Sequence, residues 1–323
     1  MRNLHGLKRW DTLLAHYLAH RRAFGRGHQS QEWILTRLRK YLGGIGATDL
    51  DADSFDQWRK SLRHLNPNTR YVREITVHQF CRYRRRTEPC CFLPDPEVFT
   101  RPRPHRLPMI LTPTQIGQLL ASTSALRWRA SWHPAVIRLA IVLLYTTGLR
   151  REELARLQLA DVDVKAAVLR IREAKFHKSR WVPLSKSACR ELLQYLQIRR
   201  TLPYGTSPAA PLLYNGRGTL ASYTGTGLYH AVARLCRTAR VLNGDGHPPR
   251  VVDFRHSFAV GALLRGYENG EDVQVLLPKL ALYMGHVSIG STAYYLRCMP
   301  AVIARASERF EDAYGALIKA GAA

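Results

Sequence analysis

The sequence predicts a two-domain, mostly helical protein that contains one small β-hairpin. Three observations support this fold class. Apolar residues recur at helical spacing in four successive segments between about residues 8 and 86, a proline-rich segment follows, and the rest of the chain combines further helical segments with a single pair of strand-like runs. The chain has 323 residues, of which 46% are hydrophobic, and this is enough to form a substantial core.

The first predicted domain, residues 1–88, is a bundle of four helices. Their sequences are LKRWDTLLAHYLAHRRAF, SQEWILTRLRKYLGGIG, DSFDQWRKSLRHL and NPNTRYVREITVHQFCRYRRR. Asp53 or Ser54 is expected to cap the third helix, and Asn66-Pro67 separates it from the fourth. Because the helical pattern starts close to the first residue, no further domain is expected ahead of it.

Residues 89–110 are predicted to form a basic, proline-rich linker. Repeated proline excludes regular helix and favours an extended chain. The same segment carries Arg101, Arg103 and Arg106, so it is expected to lie along a polyanion.

The second predicted domain, residues 111–323, is α+β and mostly helical. Thr112 is expected to cap its first helix, and a strongly apolar helix covers about residues 134–146. The sequence AAVLRIREAKFHKSRWVPL predicts two strands, residues 167–173 and 180–184, joined by a basic turn. Most of the chain beyond them is helical again, and it ends in an amphipathic helix.

The charge of the chain points to a nucleic-acid partner. Lys and Arg number 49 against 24 Asp and Glu, which gives a net charge of +25 and a pI near 10.4. No apolar run approaches the roughly 18 to 20 residues of a membrane span, so a cytoplasmic location is expected. The six cysteines are scattered apart from the adjacent Cys90-Cys91, a pattern that predicts neither a metal site nor a disulfide ladder.

Arginines are concentrated on the fourth helix and on the linker. A single arginine is usually part of a solvated surface, but a strongly basic helix within a basic bundle favours contacts with phosphates. The residues predicted to contact DNA are Arg70, Arg73, Arg84, Arg85, Arg101 and Arg103.

Three segments of the second domain place polar residues where they can act on an anion. TGLRREEL puts Arg150 at a helix N-terminus directly after a glycine turn, with Glu153 three residues further on. The turn EAKFHKSR presents Lys175 and Lys178 on a hairpin tip. By itself this pattern is typical of an ordinary exposed loop, and the functional alternative is that either lysine donates a proton. DFRHSFA puts Arg255 on an apolar helix, where a buried arginine needs an anion or acid partner.

The segment YMGHVSIGSTAYYLR completes an ordered set of motifs. It contains His286 and the adjacent phenols Tyr294 and Tyr295. Five features resemble, in order and spacing, those of the tyrosine recombinase (phage integrase) family. They are TGLRREEL, a hairpin lysine before RWVPL, DFRHSFA, MGHVSI and a tyrosine nine residues after His286. The resemblance covers residues 111–323. The N-terminal helices are similar to the core-DNA-binding domain of that family. The segment YMGHVSIGSTAYYLR is most similar to mobile-element members of it.

The resemblance implies a covalent mechanism of DNA cleavage. Tyr295 attacks a phosphodiester, giving a 3′-phosphotyrosyl bond and a free 5′-hydroxyl, without ATP, metal or any other cofactor. Arg150 and Arg255 bind the non-bridging oxygens as charge develops on the phosphorus. Lys175 matches the general acid for the 5′-oxygen, and His286 matches the residue that hydrogen-bonds the phosphate.

Two further positions match supporting roles in the family, and one departs from its pattern. Glu153 is the acidic support of the first arginine, and Lys178 is the secondary basic residue of the turn. The family usually has His, sometimes Lys, three residues before the second arginine, and here that residue is Val252. Valine can neither exchange a proton nor hydrogen-bond, and His256 is rotated by about 100° away from the face of the second arginine.

The departure leaves two interpretations of activity. The protein is either an active site-specific recombinase with a weakened acid–base set, or a catalytically weakened DNA-binding subunit that depends on partner recombinases. An architectural DNA-binding protein and a type IB topoisomerase-like enzyme are further alternatives; the Gly-His motif and the terminal helix argue against the second. The terminal helix either packs on its own domain or, as in the family, docks on a neighbouring protomer. The resemblance thus implies a homo- or hetero-tetramer on two double-stranded DNA sites.

Overall fold

The contacts within the chain divide it into two units, one up to Arg106 and one from Leu107 onward. The structure is a computed structural model, and it describes residues 2–23, 29–104, 106–126, 130–174, 178–203, 205–216 and 222–285. The division falls inside the segment predicted as a linker.

Four helices form the first unit, as the sequence predicts. They are α1 (Arg2–Ala23), α2 (Gln29–Gly44), α3 (Ala52–Ser61) and α4 (Pro67–Arg84). Their apolar faces meet in one core, where Trp10 and Tyr17 of α1 pack on the Phe80 ring of α4 with ring centroids 5.1 and 5.4 Å apart. The fold of this unit therefore follows from amphipathic helices that bury one face each.

The cap of α3 lies before the position that the sequence suggests. Asp51 is the N-cap, and its side chain accepts a hydrogen bond of 2.8 Å from the backbone N–H of Ser54. The Ser54 hydroxyl in turn accepts from the backbone N–H of Asp51 at 3.0 Å, which completes a capping box. The predicted cap at Asp53 or Ser54 is therefore wrong, because the reciprocal pair satisfies both backbone donors only from Asp51.

Part of the proline-rich segment packs on the helices of the first unit. It forms a 3-10 turn, Pro96–Val98, after which Phe99 enters the core. The fully buried carboxylate of Glu74 accepts hydrogen bonds from the backbone N–H and the hydroxyl of Thr100, at 2.6 and 2.9 Å. These contacts hold residues 96–100 against α4.

The second unit is mostly helical and contains one small sheet, as the sequence predicts. Its elements are α5 (Pro113–Ser122), α6 (His133–Thr147), α7 (Arg151–Arg156), β1 (Val162–Asp163), β2 (Val168–Ala174), β3 (Lys178–Pro183), α8 (Lys186–Arg200), α9 (Gly225–Thr238), α10 (Val251–Glu268) and α11 (Val273–Met284). Helix α6 is buried along almost its whole length, and α8 and α10 pack against it. Thr112 caps α5 through the backbone N–H of Gln115, as predicted.

The sheet is antiparallel in the order β1-β2-β3. The two predicted strands are β2 and β3, with Ile171 opposite Arg180; the two-residue strand β1 is too short to give a sequence signal. Along β3, Trp181 is 61% exposed whereas Val182 is fully buried, so alternate side chains face the core. Among the helices that the structure describes, none combines the length and the apolar character needed to cross a bilayer.

Candidate active site

Two helices of the second unit end in left-handed glycines, and both ends meet the same group of arginines. Gly148 ends α6 with φ 62°, and Gly285 ends α11 with φ 64°. A Cβ atom at Gly148 would lie 2.4 Å from Cδ1 of Phe258, so both the backbone conformation and the space require glycine there. The close approach brings α10, which carries Phe258, against the end of α6.

Arg255 lies on the buried side of α10, where it spans these two helix ends. Its side chain donates from Nη1 to the carbonyl of Gly148 at 2.5 Å and from Nη2 to the carbonyl of Met284 at 2.7 Å. The residue is only 4% exposed. Carbonyl groups at helix C-termini carry partial negative charge, which stabilises the guanidinium in this buried position.

Arg150 is the N-cap of α7, directly after the glycine turn that the sequence indicates. Its guanidinium donates to Glu153 Oε1 at 2.7 Å and to the carbonyl of Gly285 at 2.6 Å. The side chain remains 29% exposed. Arg150 is thus oriented by two partners and still open to solvent.

Glu153 joins two arginines at this site. Besides Arg150, it accepts from both terminal nitrogens of Arg180 on β3, at 3.0 and 2.9 Å. Burial alone would raise the pKa of Glu153, but the hydrogen bonds and charges of Arg180 and Arg150 outweigh it and lower the pKa to about 2. Glu153 therefore stays ionised at neutral pH and cannot serve as a general acid.

The cluster carries an excess of positive charge suited to a phosphate. Arg150, Arg180 and Arg255 contribute three positive charges and Glu153 one negative charge, a balance of about two positive charges in a partly buried site. One guanidinium group can donate to two phosphate oxygens at once. The arrangement can therefore hold a phosphodiester and stabilise added charge on it.

Several predicted site residues lie outside the described residues. These are Lys175, His286 and Tyr295, together with Tyr294; the backbone of Lys178 begins β3, and its side chain is not described. In the sequence, Lys175 follows the last residue of β2, and His286 follows Gly285 directly. The structure thus brings together Arg150, Arg255 and Glu153 of the predicted set.

Comparison with known proteins shows the family. The model described as "Phage integrase family" matches residues 109–300, the whole segment that contains these arginines. The chain belongs to the phage integrase family.

Relatives of this phage integrase family member match it over most of its length. A Sinorhizobium fredii protein assigned as an integrase/recombinase, y4rB, is 32% identical over 91% of this chain and 95% of its own. The tyrosine recombinase XerD of Ralstonia nicotianae is 27% identical over 81% of this chain and 80% of its own. The solved Tn1549 transposon integrase, in complex with transposon right end DNA, has the same fold, with a TM-score of 0.63 at 18% identity over 93% of this chain and 98% of that chain.

Arg180 is the site residue of this integrase that sequence reasoning missed. The signal was present in RWVPL, because Arg180 and Val182 share one face of β3 and Val182 is buried. An arginine on the core-facing side of a strand requires an acid partner, and in the structure that partner is Glu153.

Tyr283 borders the same arginines. Burial raises the pKa of its phenol to about 12, while the charges of Arg180 and Arg255 act in the opposite direction. Its ring stacks on Phe258, with centroids 5.4 Å apart. Tyr283 therefore packs the end of α11 against α10.

Val252 lies in the first turn of α10, one turn before Arg255, and is 43% exposed. His256, half-buried on the same helix, has its pKa lowered by burial.

In the integrase we expect Val252→His to raise the single-turnover rate of DNA cleavage by about tenfold. This is a part of the roughly 10²- to 10⁴-fold that acid–base catalysis can supply.

The control is Val252→Leu, which cannot exchange a proton and should leave the rate unchanged. An unchanged or lower rate for Val252→His would show that the pocket works without a group at this position.

The first unit of the integrase carries a second basic cluster, centred on Trp33. This ring is 44% exposed, and the guanidinium carbons of Arg37 and Arg73 lie 4.4 and 4.8 Å from its centroid. Burial and the neighbouring charge of Arg37 lower the pKa of Arg73. Two like charges held on one partly exposed aromatic ring favour a nearby anion.

One predicted DNA contact is corrected by the structure. Arg84 is 3% exposed and donates to Asp49 at 2.8 and 2.6 Å and to Glu88 at 3.0 and 2.8 Å. Burial opposes its charge, but these hydrogen bonds outweigh burial and raise the pKa of Arg84. Two carboxylates therefore neutralise Arg84, which joins parts of the first unit instead of contacting a phosphate.

The other arginines predicted to contact DNA are accessible. Arg85, Arg101 and Arg103 are exposed, and Arg70 and Arg73 are half-buried. Their contact with DNA stays a prediction.

We expect Arg37→Gln and Arg73→Gln each to weaken DNA binding by the integrase and to reduce the slope of log affinity against log salt concentration by about one. Fluorescence anisotropy at several salt concentrations measures both. Arg39→Gln is the matched control on α2, because Arg39 already pairs with Asp11 at 2.6 Å. Equal slopes for the wild type and both cluster variants would contradict a phosphate contact.

Proposed function

We propose that this phage integrase family member is a site-specific DNA recombinase that cleaves and rejoins strands through a 3′-phosphotyrosyl intermediate. The observation that carries the proposal is the joint placement of Arg150 and Arg255 around the ends of α6 and α11, since two oriented guanidinium groups can grip one phosphodiester. The tyrosine recombinase XerD and the transposon integrase among its relatives support the same activity and a mobile-element setting.

In the proposed mechanism, the phenol of Tyr295 gives its proton to water as its oxygen attacks the scissile phosphorus, and the 5′-oxygen leaves. Arg150 and Arg255 stabilise the charge on the non-bridging oxygens, and His286 hydrogen-bonds one of them. Lys175 gives a proton to the leaving 5′-oxygen. Because the phosphotyrosyl bond retains the energy of the broken phosphodiester, rejoining requires neither ATP nor a metal.

The two units have distinct tasks in this proposal. The basic N-terminal helices bind the DNA backbone and the second unit performs the chemistry. Strand exchange needs cleavage at two sites, so we propose a tetramer, either of this chain alone or with related recombinases. A DNA-binding subunit without its own chemistry is less well supported, because both arginines and the acidic partner of Arg150 are in place.

A nicked suicide substrate tests this function directly. The DNA carries the ends of the element in which the gene lies, with a nick that lets the 5′-hydroxyl fragment diffuse away after cleavage. The expected result is a denaturant-resistant adduct on the labelled 3′ side and a 5′-hydroxyl on the released fragment. Binding of the same DNA without any adduct, at any nick position, would reject the enzyme and leave the binding subunit.

A further inference from the structure

We propose that Arg180 is a positioning residue of the active site. Through Glu153 it sets the place and the available charge of the Arg150 guanidinium that receives the scissile phosphate. This proposal rests on the function proposed above and adds a residue to it.

The first argument is the hydrogen-bond arrangement around Glu153. Oε1 accepts from Arg180 at 3.0 Å and from the Arg150 guanidinium at 2.7 Å. Oε2 accepts from Arg180 at 2.9 Å and from the backbone N–H of Arg150 at 2.9 Å. Four donors fill the acceptor capacity of a carboxylate. Arg180 fixes the carboxylate of Glu153. The fixed carboxylate in turn holds the Arg150 guanidinium in one orientation.

The second argument concerns charge. If Arg150 were the single partner of Glu153, that ion pair would be close to neutral and Arg150 would have little attraction left for a phosphate. Arg180 supplies a second positive charge to the same carboxylate, and its side chain is 15% exposed against 8% for Glu153. Arg150, at 29%, faces solvent more than either. The pairing thus leaves a net positive charge on the open side of the cluster.

The third argument is the position of Gly285. A Cβ atom there would lie 3.3 Å from Nη1 of Arg180 and 3.4 Å from Nη1 of Arg150. The two guanidinium groups therefore border the same backbone segment, immediately before His286 in the sequence. Arg180 therefore lies beside this segment as well as beside Arg150.

A purely structural role is the competing explanation, since Arg180 also ties β3 to α7. The sheet offers a matched pair for comparison. Arg172 on β2 donates to Asp161 at 2.5 and 2.8 Å, and Asp161 is 4% exposed. This pair ties β2 to the 3-10 turn Leu159–Asp161, which lies before β1, and includes none of the arginines of the site. Arg172→Gln therefore removes a comparable tie without touching Arg150.

The test compares two suicide substrates that differ only at the scissile phosphate, one a normal phosphodiester and the other an uncharged methylphosphonate. Arg180→Gln is expected to slow single-turnover cleavage of the phosphodiester by about 10- to 100-fold, the range that a small misplacement of a catalytic group can cost. Cleavage of the methylphosphonate, which does not need the positive charge, should slow at least about fivefold less. Arg180→Lys should be intermediate, because lysine cannot bridge both carboxylate oxygens.

Arg172→Gln and measurements of thermal unfolding control for a loss of structure. Equal slowing of both substrates by Arg180→Gln, or the same pattern in Arg172→Gln, overturns the proposal. The affinity of each protein for the two DNAs is measured in parallel. If the wild type binds the DNA but forms no adduct, the proposed function fails, and the role of Arg180 is judged on binding alone. A preference of the wild type for the charged phosphate that Arg180→Gln weakens supports this role. A preference that Arg180→Gln leaves unchanged overturns it.

Discussion

Tyr295→Phe is expected to reduce the covalent protein–DNA adduct by at least about 10³-fold, because removal of a nucleophile leaves no group that can form the intermediate. Phenylalanine keeps the ring and loses only the phenol oxygen, so DNA affinity should stay close to that of the wild type. The measurement is adduct formation on a nicked suicide substrate, resolved under denaturing conditions, with anisotropy of the same DNA as the binding control.

The adjacent phenol provides the control for this prediction. Tyr294→Phe has the same chemical change one residue earlier, and it should retain the adduct because only Tyr295 stands nine residues after His286. An adduct that persists in Tyr295→Phe and disappears in Tyr294→Phe would move the nucleophile by one residue. Loss of the adduct in both variants would indicate that the pair acts together or that the segment has lost its structure.

Arg255→Gln is expected to slow DNA cleavage by about 10²- to 10³-fold, the usual effect of removing one donor that stabilises developing charge. The reason lies in its position: a residue that is 4% exposed and bonded to the carbonyls of Gly148 and Met284 presents its guanidinium in one fixed orientation. Arg255→Lys should be nearly as slow, because a single ammonium cannot span both carbonyls and a phosphate. Single-turnover cleavage with saturating protein measures the effect.

Loss of folding must be separated from loss of chemistry in this experiment. Circular dichroism and thermal unfolding report the fold of each variant, and Arg265→Gln removes an exposed arginine from the same helix as a control for charge. We expect Arg265→Gln to cleave at the wild-type rate. Wild-type cleavage by a folded Arg255→Gln protein would remove Arg255 from the proposed mechanism.

Local sequence signals correctly predicted the helices of the first unit and two features of the second. The four helices of the first unit, the cap at Thr112 and the placement of Arg150 after the turn at Gly148 all depend on residues within a few positions of one another. The capping box of α3 was missed by a short distance, because several residues in that stretch can act as caps and only the backbone geometry selects Asp51.

The sequence did not predict which groups the individual arginines contact. Arg84 and Arg73 are both arginines of one basic helix, yet Arg84 is enclosed by Asp49 and Glu88 whereas Arg73 lies over the exposed ring of Trp33. Arg180 was missed because its place in the site depends on a hydrogen bond to Glu153, which lies 27 residues earlier in the chain. A charge pattern read along one helix cannot separate these cases.

The sequence by itself determined the family, the order of its motifs and the departure at Val252, because each depends on residue type and spacing alone. Only the tertiary structure decided which groups hold the arginines: Arg150 binds the carbonyl of Gly285, 135 residues away, and Arg255 binds that of Gly148, 107 residues away. The physical reason is that backbone carbonyls have no sequence signature, so a site that they orient is visible only once helix ends are packed together.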